Sequence, residues 1–91
     1  MAPDASAKSS LADLSAEGML LAECLMTRNY DEARRSAQLL RHGARQLELG
    51  KVQRLAERVI LLLGPEGADP SPGLGTAVLM LAATLEDTGT P

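Results

Sequence analysis

The side chains of this chain that could do chemistry gather on one short stretch. Arg34, Gln38, Arg41, His42 and Arg45 recur at steps that hold them on one side of an α-helix. His42 is the single histidine. An imidazole nitrogen can accept a phosphoryl group, and nearby guanidinium groups can hold the oxyanion. A lone histidine among arginines is also what an ordinary solvated helix face looks like, and that is the simpler reading. Gln38, one turn earlier, cannot serve as the nucleophile, because its nitrogen lone pair is delocalised into the carbonyl. Cys24 shares its helical phase with Leu21 and Leu25, which points to a buried structural thiol rather than a reactive one. Other chemistries lack their parts. One His and one Cys cannot assemble a zinc site, and no EF-hand spacing exists. Gly64-x-x-Gly67 lacks the Lys-Ser/Thr of a phosphate loop. No metal, cofactor or catalytic residue is expected.

A polar stripe needs an apolar ridge behind it. Ala33, Ala37, Leu40, Ala44 and Leu47 alternate steps of four and three, which stacks them on the opposite side of the same helix. The rest of the chain fits an all-α domain. It is 45% hydrophobic, yet Tyr30 is its one aromatic residue, and the alternating β-branched runs of a sheet are missing. Ninety-one residues suffice for one modest core.

Net charge is −3, so nothing attracts the whole molecule to nucleic acid. Its distribution is uneven. Residues 28–58 carry eight Lys/Arg against four acids, a local excess of +4, while both ends are acidic. A basic face on an acidic protein suits a specific acidic partner better than a polyanion. A lone cysteine implies a reducing compartment. The first residues lack the basic and apolar regions of a signal peptide. Apolar runs such as Val59–Leu63 are too short to span a bilayer. These features predict a soluble cytoplasmic protein with no membrane partner, either monomeric or homodimeric.

Breakers and caps divide the chain into a tail over 1–9, helices over about 11–28, 32–49, 51–63 and 74–87, and a tail over 88–91. Ser10 with Asp13 resembles an N-terminus, and Asp31 suits the N-cap of the second helix. Gly50 suits its stop. The third helix has Val52, Leu55, Ala56, Val59, Leu62 and Leu63 at helical spacing, and its apolar last turn is expected deepest in the core. Three prolines and three glycines across residues 64–73 enforce a loop. The fourth helix should bury Leu74, Ala77, Val78, Leu81 and Leu85. No internal repeat is apparent. Short links predict a small antiparallel four-helix bundle of up-down-up-down order over residues 10–87.

Over about residues 25–87 the chain resembles the histidine phosphotransfer (HPt) domains of bacterial two-component phosphorelays. Asn29-Tyr30-Asp31-Glu32-Ala33 is similar to the turn opening that family's active-site helix. Ala37 stands at the small residue before the phospho-histidine, and Leu40 at the buried Leu or Ile beyond it. Arg41 takes the place of the usual Lys, and Ala44 that of a small packing residue. Leu47-Glu48-Leu49 resembles the Leu-Gly-Leu/Ala segment that ends the helix. Val52 and Leu55-Ala56-Glu57-Arg58-Val59 resemble the next helix. Two departures matter: Gln38 occupies the phospho-histidine position, and His42 replaces a Gly.

The resemblance implies an HPt-like bundle that is no enzyme. It would dock a response-regulator receiver domain or a histidine kinase through Arg34, Gln38, Arg41, His42 and Arg45. Receiver domains gather acidic groups around their phosphoacceptor aspartate, which complements this stripe. Two alternatives stand beside it. One is an active phosphotransfer protein using His42. The other is a tetratricopeptide-like adaptor, secretion chaperone or dimerising structural subunit, because the first helix with residues 29–33 also resembles one such hairpin. Leu39, Ile60, Leu79 and Met80 fall off the expected core faces and would form its contact.

Overall fold

The computed structural model describes residues 10–89. It contains four helices, α1 (Leu11–Met26), α2 (Tyr30–Gln46), α3 (Gly50–Leu63) and α4 (Leu74–Gly89). The expected tail over 1–9 and the final two residues lie outside that range. α4 runs on through Thr88 and Gly89, two residues past its expected end.

Each helix packs against its neighbours in sequence, and α4 closes back on α1. The backbones of the diagonal pairs, α1 with α3 and α2 with α4, stay farther apart, and one core draws side chains from all four helices. That arrangement is a small four-helix bundle. The core holds Leu14, Leu21, Cys24, Leu40, Val52, Val59, Leu63, Leu81 and Leu85, among others. All five residues expected to face inward from α4 are buried there.

The helix ends show where local chemistry decides. Ser10 begins α1 with a capping box. Its hydroxyl accepts from the Asp13 amide at 3.1 Å, while the Asp13 carboxylate accepts from the Ser10 amide at 3.2 Å. α2 starts earlier than expected. Its N-cap is Asn29, whose side-chain oxygen accepts from the Glu32 amide, so Asp31 sits in the first turn instead.

The two short links have the same geometry twenty residues apart. α1 and α2 both end in Schellman motifs. Asn29 N–H donates to the Cys24 carbonyl and Leu49 N–H to the Ala44 carbonyl, each at 2.8 Å. The left-handed position falls on Arg28 in one link and Glu48 in the other, both at φ 58°. The sequence shows no repeat because neither link uses the glycine that would mark it. Gly50, expected to stop α2, is the first residue of α3.

Gly18 looks like a weak point in α1, but the fold has a use for it. A Cβ added there would lie 2.8 Å from a Leu85 methyl, so the missing side chain lets α4 approach. The apolar last turn of α3 is only partly interior, since Leu63 is buried and Leu61 is 77% exposed. Ile60, placed off the core by its spacing, is half-buried against it.

Candidate functional site

α2 positions the site. Ala33, Ala37, Leu40 and Ala44 are fully buried, and Leu47 is half-buried against the core. With 3.6 residues per turn, that ridge turns Gln38, Arg41, His42 and Arg45 to solvent, and all four are exposed. Ser36 and Gly43 are also buried, which widens the inward face using small residues.

Few contacts within the fold occupy this face. The Gln46 amide nitrogen lies 3.4 Å from His42 Nε2. The ion pair between Arg34 and Asp31, at 2.8 Å, is the only one among the described residues. Arg41 and Arg45 therefore stand in water without a carboxylate partner. Arg45 also lies in the last turn of α2, where a cation complements the negative end of the helix dipole.

Arg34 departs from the expected stripe. Its guanidinium folds over the end of α3 and the loop beyond. Nε donates to the Gly64 carbonyl at 3.0 Å, and Nη2 donates to the carbonyls of Leu63 and Ala68 at 3.1 and 2.9 Å. Nη1 donates to Asp31. Its side chain is only 16% exposed. Arg34 is thus a structural clamp rather than a member of a docking surface. The first turn of α2 lies beside the last turn of α3, whose terminal carbonyls need donors that α3 cannot supply.

Arg35 is the residue that the stripe pattern missed. It is exposed, has no ion-pair partner, and lies about 20° around α2 from His42. Its signal was present in the 100° step per residue but was hidden by its neighbour Arg34. With Arg35 replacing Arg34, the exposed face reads Arg35, Gln38, Arg41, His42 and Arg45.

This face presents cations, an amide and an imidazole, with no buried acid or base behind them. Cys24 cannot join His42 as a nucleophile–base pair, because it is buried in α1 while His42 faces solvent. Burial first, then the charges of Glu32, Glu23 and Glu17, push its thiol pKa up, so the neutral form prevails. What the arrangement offers is electrostatic recognition of an acidic surface. The chain matches no family model, no curated protein and no solved structure.

Proposed function

We propose that this chain is a non-catalytic, HPt-like interaction module that docks a receiver domain or a histidine kinase of a two-component system through the exposed face of α2. The observation that carries this reading is the set of exposed side chains Gln38, Arg41, His42 and Arg45, held outward by a buried Ala/Leu ridge. The resemblance to HPt domains agrees with that orientation position by position. Ala37, Leu40 and Ala44 are inside, while Gln38 and Arg41 are outside. Glu48 supports it further: its left-handed backbone stands where the family's motif carries glycine. Gln38 binds and does not react, since an amide accepts no phosphoryl group in this manner.

Charge complementarity supplies specificity and association rate more than raw affinity. A receiver domain from the same organism is the partner to try first. Reversing both cations, Arg41→Glu with Arg45→Glu, should abolish its capture in a pull-down while leaving helicity unchanged. Undiminished capture by the double variant would end the docking proposal. The use of His42 as a phosphoacceptor is tested alongside, by incubation with a phosphorylated receiver and a His42→Ala control. Acid-labile phosphate on the wild type alone would replace the non-catalytic reading.

A further inference from the structure

We propose a second docking site, independent of α2, in the groove between α3 and α4, and infer that it takes an acidic amphipathic helix from another protein. Lys51, Arg54 and Arg58 line one wall at steps of three and four, Leu55, Met80 and Ala83 form the apolar part, and Thr84 sits at the edge. Among the described residues no carboxylate lines the groove. None of the three cations has an ion-pair partner among the described residues. Glu57, the one acid of α3, accepts a hydrogen bond from Gln53 and does not line the groove. The Thr84 hydroxyl is turned inward to the Met80 carbonyl at 2.8 Å, so it is already satisfied.

The apolar side of this groove belongs to a helix that lacks a polar outer face. α4 buries Leu74, Ala77, Val78, Leu81 and Leu85, yet Leu79, Met80, Ala82 and Ala83 are exposed. It has no Lys or Arg, and its two acids, Glu86 and Asp87, lie near its end. Apart from Leu39 and Leu61, α2 and α3 carry polar outer faces, as surface helices ordinarily do. An outer face of this composition beside a row of unpaired cations calls for a ligand with apolar and acidic strips side by side. An α-helix with apolar residues at i, i+3, i+4 and i+7, and Asp or Glu one step around, has that form. Nucleic acid would leave the apolar strip unused and must approach a molecule of net charge −3. A second copy could offer α1, with exposed Asp13, Met19 and Glu23. That contact would join unlike surfaces and build a ring or an open chain, which the oligomeric state reads out.

The test uses the whole protein and a synthetic helix of about five turns, with Leu on one face flanked by Glu. A matched peptide carrying Lys in place of Glu is the control. Amide chemical-shift mapping should show saturable binding of the Glu peptide centred on Leu55, Arg58, Met80 and Ala83. Arg54→Glu with Arg58→Glu, both exposed, should weaken it about tenfold or more, and the Lys peptide should bind as poorly. Arg41→Glu with Arg45→Glu should leave it unchanged, which separates this site from the α2 face. Equal binding of both peptides, shifts confined to other helices, or no binding would overturn the proposal. Self-association that the Arg54/Arg58 reversal abolishes would also overturn it, in favour of a second copy. Adsorption to phosphatidylglycerol vesicles without peptide binding would overturn it in favour of a membrane surface.

Discussion

A guanidinium carries five N–H donors in a rigid fork, and Arg34 uses four of its hydrogen-bonding directions inside the fold. Three go to backbone carbonyls that would otherwise end α3 and its loop without protein partners. Replacing it with Lys keeps the charge but loses the fork. Arg34→Lys should therefore cost about 1–3 kcal/mol in urea unfolding, with little relief compared with Arg34→Ala. Asp31→Ala should cost far less, because that carboxylate is 71% exposed and exposed pairs contribute little. Arg28 and Glu48 make the opposite case. Each holds a left-handed backbone that disfavours a Cβ. Arg28→Gly or Glu48→Gly should raise stability by about 0.5–1 kcal/mol, read as a higher thermal midpoint. Cys24 adds a pH dependence. Its folded pKa is raised, so the unfolded chain ionises first as pH climbs past the usual thiol value of about 8.5. Stability should be intact below that value and fall as pH rises toward the folded pKa. The decline, measured as urea midpoints against a Cys24→Ala variant, should be steeper in the wild type.

At the scale of the helix, periodicity was informative where polar and apolar residues alternate clearly. On α2 it placed Ala33, Ala37, Leu40 and Ala44 inside and Gln38, Arg41, His42 and Arg45 outside, as the structure has them. On α1 spacing likewise placed Leu14, Leu21 and Cys24 inside, but it left Met19 open and did not mark Gly18. Leu14, Gly18, Leu21 and Cys24 are buried, while Met19 is 75% exposed. The link between α2 and α3 was misplaced for a different reason. Glycine is the usual left-handed terminator, which favoured Gly50, but the fold seats Leu47 and Leu49 against the core and leaves the turn to Glu48. Packing overrode propensity there. The clamp role of Arg34 was unreadable because its acceptors lie about thirty residues away in sequence. The depth of Leu40 gives a direct check. Leu40→Ala should destabilise by about 2–5 kcal/mol, whereas Leu39→Ser, at a 48% exposed neighbour, should change little.

Across the whole molecule, charge is sorted by helix. α1 and α4 carry Asp13, Glu17, Glu23, Glu86 and Asp87 and no Lys or Arg, whereas α2 and α3 carry seven of the nine cations. An acidic protein thus keeps one cationic half, and with Arg34 engaged internally the outward cations of α2 are Arg35, Arg41 and Arg45. Binding through such a surface should weaken as salt rises, because exposed charges are screened over about 8–10 Å at physiological ionic strength. The proposal that the exposed face of α2 docks an acidic receiver surface stands on this sorting of charge. The decisive measurement is amide chemical-shift mapping of the labelled protein titrated with a receiver domain from its own organism. Saturable shifts clustered on Arg35, Gln38, Arg41, His42 and Arg45 are expected. Shifts absent from α2, or confined to α1 and α4, would contradict the proposal.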